Sequence, residues 1–398
     1  MNKLFPTYEV GSLPKLNARV NATNGKRISQ KDLDEVKYLS EKFSVDANKA
    51  LSIFDKNAKH KEVLTNENIE DLTDFNALLY LRLQEGLGLD FVYDGEARRR
   101  EMYQHVAAKI EGFEKTPEMI RSRGPDSWRM AVCVDEPKLK QNSLDDLILN
   151  EFEFVKDNAR ENIKIPMDDP YMIAVMSDNR HYLEKLRDKH FNNPRKLRYE
   201  AKREFTLALA RNIIRPQVKA VVDAGARWIQ LDIPAATLDI EHIPIVVDGV
   251  NEVVREIDGV KFSLHMCYPR RVTLTDKNSY ELLFPAILNL NKNVDHLSLE
   301  LANADNYEKD LAVFAKYADQ RKFEIGVGVV DITLEKQQRQ EIETQEMVKD
   351  RILRAVETLN DEKLIYVAPD CGLRQLSLDR CMKLYEVIAE GAELARRG

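Results

Sequence analysis

The chain has 398 residues, 43% hydrophobic and 32% charged, with 67 acidic against 60 basic side chains and a formal net charge of −7. That length suits two ordinary domains or one α/β barrel, and the acidic balance argues against broad binding to nucleic-acid phosphates. No apolar run approaches the roughly 18–20 residues of a membrane span, and the opening MNKLFPTYEV lacks a signal-peptide core, so a cytoplasmic chain without nucleic-acid or membrane partners is expected.

Short β-branched or apolar runs ending in Gly, Asp, Glu, Pro or Cys recur along the chain, at 8–11, 91–94, 130–134, 163–166, 228–232, 262–267, 296–300, 324–330 and 364–368. They read as strands buried on both faces. Helical periodicity fills the intervals 207–224, 280–290, 307–318 and 377–396, the last opening on the N-cap residue Ser377. Alternation of strand and helix implies a parallel sheet, and an eightfold (β/α)8 TIM barrel in a single catalytic domain spanning 1–398 is the best fit. Nine runs exceed the eight strands of such a barrel; the run 130–134 is the weakest and the one assigned to an insertion. The segment 21–72, with polar helical stretches around 32–43 and 66–79, and the charged, helix-prone segment 111–160 are longer than crossovers require. They are expected to be N-terminal and mid-chain helical insertions, the second in the place of a lid.

Four cysteines, Cys133, Cys267, Cys371 and Cys381, are too few for a disulfide scaffold and fit a reduced compartment where thiols are free for metal or catalysis. Cys267 follows His265 by two residues in FSLHMCYPRR, so both side chains project from one face of a strand. Glu300, in HLSLELANAD, comes about one β/α unit later, and Cys371, in VAPDCGLRQLS, about two units after that, a unit being roughly 30 residues. His265, Cys267, Glu300 and Cys371 therefore converge on one barrel mouth with nitrogen, sulfur and oxygen donors suited to Zn2+. Cys133 and Cys381 lack such company and are expected in the core. Gly326-Val327-Gly328 lacks the third glycine of a dinucleotide fingerprint and reads as glycines in a tight strand. The runs Arg98-Arg99-Arg100 and Arg270-Arg271 read as solvated helix faces, or as contacts for a donor's phosphates or carboxylates.

HMCY, the later strand-end glutamate and PDCGL resemble the catalytic C-terminal barrel of the cobalamin-independent methionine synthase family. TYEVGSLP, FVYDGEARRREM and AVVDAGARWIQLDIPA are similar to its opening Gly-Ser strand, its Gly-Glu strand and its stretch ending in IDEPA. The resemblance runs from Tyr8 to Arg374 and is weakest over 111–160. It implies a zinc-dependent homocysteine S-methyltransferase that forms methionine, with His265, Cys267, Glu300 and Cys371 as zinc ligands and Ser12, Glu96 and Asp232 as homocysteine contacts. Carboxylates at Glu96 and Asp232 suit the substrate's ammonium group, and Ser12 with its backbone N–H suits its carboxylate.

Two departures bear on the methyl donor. Full-length family members carry a second, N-terminal barrel that helps hold a folate donor, whereas this chain resembles a short stand-alone form. Where the family's late strand reads GVxDxH, with a histidine implicated in protonating the departing folate, this chain reads GVGVVDIT, with Thr333 in that place. Threonine is a poor general acid and a corrinoid leaving group needs none, which favours a methylcorrinoid donor, free or protein-bound, over 5-methyltetrahydrofolate. Asp331 is the alternative acid, and an accessory protein the alternative means of completing the site. Ile233 also replaces the glutamate of the family's DEPA. Two further readings compete: methyl transfer to another small thiol such as coenzyme M, and a non-catalytic interaction scaffold built around a structural zinc.

Overall fold

A computed structural model describes residues 3–60, 64–99, 101–121, 127–190, 192–234, 236, 239–268, 278–304, 306–333 and 341–398. The protein is α/β, with a six-stranded parallel sheet at its centre. In chain order its strands are β1 (Phe91–Val92), β2 (Ile110–Arg121), β3 (Ser127–Leu139), β4 (Asn162–Ile163), β5 (Ile165–Asp168), β6 (Trp228–Asp232), β7 (Lys261–Met266), β8 (Val294–Leu299), β9 (Glu324–Gly328) and β10 (Ile365–Ala368).

Strands β5 to β10 pair in sequence order, all parallel. Beyond β10 the pairing continues, because Thr7 bridges Val367 and Tyr8 bridges Phe91 of β1, and β1 pairs in parallel with β4. Only Lys164 separates β4 from β5, and its N–H donates to Val92 O at 3.3 Å. The parallel pairings thus lead from β5 round to β4.

Period-2 alternation gives this sheet two different faces. Ile229, Leu231, Phe262, Leu264, Leu297, Ile325 and Val367 belong to the large apolar core shared with the helices. On the opposite face stand Gln230, Asp232, Ser263, His265, His296 and Ser298, all buried, beside a small separate cluster of Tyr8, Val10, Trp228 and Ala368. Several polar groups there pair with one another: Tyr8 OH donates to Ser298 Oγ at 2.7 Å, and Trp228 Nε1 to Ser263 Oγ at 2.9 Å. Gly326 is required on this face, because a Cβ at that position would strike the Tyr8 hydroxyl. The glycines of Gly326-Val327-Gly328 are therefore strand glycines, as the sequence indicates.

Lys164 and Glu9 sit deeper on the same face. The Lys164 ammonium donates to Val10 O at 3.0 Å and to Gln230 Oε1 at 2.9 Å, and lies 3.9 Å from Glu9. Burial pushes the Glu9 carboxyl up to about 8, against the pull of Lys164. An acid whose pKa rises on folding keeps its proton in the native state while the unfolded chain loses it above about 4.5, so its contribution to stability falls as pH climbs toward 8. Urea melts at pH 5, 6 and 7 are therefore expected to show Glu9→Gln gaining on the parent by up to about 1.4 kcal/mol per pH unit. A pH-independent difference would contradict this account.

The helices begin where their caps dictate. Ser29 and Thr65 form capping boxes with Asp32 and Asn68, opening helices Gln30–Lys42 and Asn66–Gly86, and Ser377 caps Leu378–Arg397. The N-terminal segment is thus helical as expected. The segment 111–160 is not the expected helical insertion: its first half forms the antiparallel pair β2 and β3, and among the described residues its helical part is confined to 143–158. Oppositely charged Glu111 and Lys138 face each other across this pair, and Phe113 faces the buried Cys133, so the charges that suggest a helix serve as cross-strand partners. The run 130–134 lies within β3, outside the parallel sheet. The interval 280–290 is also no single helix but two 3-10 turns, Tyr280–Leu283 and Ala286–Asn289. Pro285 supplies no N–H there, and Phe284 before it is extended.

Candidate active site

His265 is the penultimate residue of β7 and Cys267 lies just beyond that strand; Glu300 directly follows β8, and Cys371 follows β10 by three residues. Their ligand atoms all lie within 4.8 Å of one another, His265 being buried and the others half-buried. His265 Nε2 stands 3.3 Å from Cys371 Sγ. The sequence separates these residues widely, yet adjacent parallel strands bring them to one end of the sheet.

Buried groups fix the strand ends that carry them. Glu300 Oε2 accepts from Tyr268 N at 3.1 Å. The Tyr280 hydroxyl accepts from Glu300 N and donates to Met266 O, each at 2.9 Å, so one phenol joins the ends of β7 and β8. Asp310 accepts from Tyr268 OH at 2.9 Å and from Ser279 Oγ and Tyr280 N at 2.7 and 2.8 Å. Asp370, beside Cys371, accepts from Leu301 N and Ala302 N at 3.0 and 2.9 Å through one oxygen and from Asn303 N at 3.0 Å through the other. Gly328 makes room for this carboxylate, since a Cβ there would meet Asp370 and, at 2.6 Å, the Leu299 carbonyl.

The donors are electrostatically strained against one another. Hydrogen bonding from Cys267, with His265 adding to it, holds the Cys371 thiol well below its usual value, while the same bond and burial push Cys267 well above it. Burial, then Cys371, lifts the Glu300 carboxyl to about 7; at His265 burial opposes the charge, but the Cys371 sulfur outweighs it and raises the imidazole to about 9. A histidine, two sulfurs and a carboxyl crowded so closely form a donor set that a dication would neutralise, and His265 Nδ1 has no partner among the described residues. The residues fit zinc by donor chemistry.

The other candidate residues lie next to these four. Asp232 faces His265 across β6 and β7 and accepts from Gln230 Nε2 at 2.7 Å; burial lifts its carboxyl to about 7. Ser12 packs on Gly372, where an added Cβ would come within 2.7 Å of its Oγ, and its carbonyl accepts from Leu373 N. Glu96 is buried, with a left-handed backbone at φ 58°, and its Oε1 lies 3.5 Å from Arg99 Nη1. A non-glycine residue held there points to a positional demand. Asp331 is buried and its Oδ1 accepts from Thr333 N at 2.8 Å; it is not among the clustered donors. Arg99 is no solvated residue: it pairs with buried Glu151 at 2.6 Å and donates to Pro166 O. Arg98 pairs with Asp74, whereas Arg100, Arg270 and Arg271 lie outside the described residues. Cys133 and Cys381 are fully buried, as expected of core thiols.

Asp168 escaped the sequence reading, which ended its strand two residues early. It closes β5 directly opposite Asp232, is buried, and its Oδ1 has no partner among the described residues. The signal was present in IPMDDP, where an acid ends an apolar run.

The family described as the catalytic domain of cobalamin-independent synthase matches residues 48–143 and 192–393. A methionine synthase of Thermococcus kodakarensis is 31% identical over 335 residues, 84% of this chain and 86% of that protein. One of Pyrococcus horikoshii is 31% identical over 332 residues, 83% and 85% of the two chains. Among solved structures, a B12-independent methionine synthase from Shewanella sp. W3-18-1, in complex with selenomethionine, shares the fold with TM-score 0.71 at 19% identity, covering 99% of this chain and 98% of its own. No helix among the described residues is long and apolar enough to cross a membrane.

Proposed function

The chain belongs to the cobalamin-independent synthase family through its catalytic domain, and from that premise we propose that it is a zinc-dependent homocysteine S-methyltransferase producing methionine. That it is a methyltransferase follows from its relatives, which sets aside the interaction-scaffold reading. The observation that carries the finer reading is the meeting of His265, Cys267, Glu300 and Cys371 at one point. We read the circuit of parallel pairings from β5 round to β4 as a closed (β/α)8 barrel in one catalytic domain, with the site at the carboxyl ends of its strands.

A zinc ion held by the four donors would keep a substrate sulfur ionised at neutral pH, where a free thiol of pKa about 8.5 is only a few per cent thiolate. The chain's own part is to hold and orient. Glu96 and Asp232 take the substrate ammonium, with Gln230 fixing the Asp232 carboxylate, and Ser12 offers its hydroxyl and N–H to the substrate carboxylate. Anchoring both ends of the amino acid aims its sulfur in line with the incoming methyl group. These anchors favour homocysteine over coenzyme M, which has no ammonium group.

For the methyl donor, Thr333 in place of a proton-donating histidine supports a methylcorrinoid, while the family's description as cobalamin-independent supports methyltetrahydrofolate. With threonine a poor general acid at that place, the corrinoid is the donor we favour. Zinc-loaded protein with homocysteine is expected to form methionine from methylcobalamin and little from methyltetrahydrofolate. Turnover with the folate alone would reverse the donor assignment, and no methionine from either would overturn the function.

A further inference from the structure

Beside the four clustered donors lies a small open cleft whose lining includes Ser12, Lys15, Glu96, Arg99, Glu101 and Arg374. It adjoins the segment carrying Cys371 through Ser12, which packs on Gly372, while Glu96 Oε1 would lie 3.2 Å from a Cβ at Gly11, next to Ser12. One part of this region is acidic: Glu96 lines the cleft, and Asp168 and Asp232 face each other in register on β5 and β6. Other parts of the lining are cationic. Arg99 is already committed to Glu151 and Glu96, but the Lys15 ammonium has three donors, of which the structure shows one given to the Arg99 carbonyl. No carboxylate among the described residues forms an ion pair with Lys15.

A cleft with fixed anions and a cation not paired to any of them matches the two charges of an α-amino acid. Resting on the function proposed above, we propose that Lys15 binds the α-carboxylate of the thiol substrate and thereby sets the preference for an amino-acid thiol over a simple aminothiol. Ser12 supplies only neutral donors, whereas Lys15 brings a full charge opposite to that of the carboxylate. Burial, reinforced by Arg19 and Arg374, lowers the Lys15 ammonium to about 8, so its charge is poorly compensated until an anion arrives. Lys15 is thus a specificity-determining residue that touches the substrate far from its sulfur.

The test compares homocysteine with 3-aminopropane-1-thiol, which is homocysteine without its carboxyl group, using zinc-loaded protein and whichever donor supports turnover. The parent is expected to favour homocysteine in kcat/KM by about 10- to 100-fold or more, the range of one hydrogen bond to a charged group. Lys15→Met is expected to erase most of that preference by raising KM for homocysteine, leaving the aminothiol rate unchanged, with Lys15→Arg restoring part of it. A parent enzyme that methylates both thiols equally well would overturn the proposal without any variant. So would a Lys15→Met protein that keeps the parent's preference, or one that loses both thiols in equal measure. Methylation of neither thiol by the parent would instead strike the underlying function.

Discussion

Cys371→Ala is expected to reduce zinc from about one ion per chain to a small fraction of that and to lower methionine formation by about 1000-fold or more. The magnitude follows from several kcal/mol of charge stabilisation by the ion, each 1.36 kcal/mol being worth tenfold in rate. Cys371 is the sulfur on which the cluster turns: His265 Nε2 approaches it to 3.3 Å, and hydrogen bonding from Cys267 draws its thiol well below the usual range. Without it, Cys267 and Glu300 retain a histidine partner but the set loses one of its two sulfurs. Metal content by plasma emission, alongside turnover, checks the result. Cys133→Ala serves as the contrast, because that thiol is buried far along the chain in β3 and its loss should leave zinc untouched. Full occupancy and near-parental turnover in Cys371→Ala would end the metal assignment.

Asp370→Ala is expected to act without touching a ligand. Its carboxylate, fully buried, takes hydrogen bonds from three consecutive amides, Leu301, Ala302 and Asn303, which directly follow Glu300. One side chain thus ties the Glu300 strand end to the segment holding Cys371. Alanine would leave three amides without their acceptor, costing about 3–5 kcal/mol of stability. Zinc affinity should fall by about 10- to 100-fold, as for other groups that orient ligands from behind. Urea denaturation gives the first quantity and competition with a chelating dye the second. Asp370→Asn retains one oxygen and should lie between. If stability falls while zinc affinity holds, the carboxylate is a fold element only.

The sequence made the donors legible because the sheet obeys a period of two. His265 and Cys267 share a parity, as do His296, Ser298 and Glu300, so strand ends announce which residues meet. Gln230 shares its parity with Asp232, and Ser263 with His265, so the same rule marks that face. What failed was local. Around 111–139, Glu and Lys suggested a helix, and only the pairing of Glu111 with Lys138 and Phe113 with Cys133 shows why strands win. Around 280–290 the helical spacing of apolar side chains outvoted Pro285. Asp370 and Asp310 could not be found from sequence, since their partners lie in segments remote along the chain. Lys15 could not be weighed until the cleft beside Glu96 was visible.

The interval between His265 and Cys371, 106 positions along the polypeptide, also governs how the finished centre comes into being. A ribosome adding about 5–20 residues per second needs roughly 5–20 s to cover it, and throughout that time the imidazole and its neighbouring thiol have emerged without their last companion. On the zinc assignment proposed above, ion capture would be a closing event of biosynthesis, and the newborn thiol at 267 would pass through an oxidisable interval before anything could shield it.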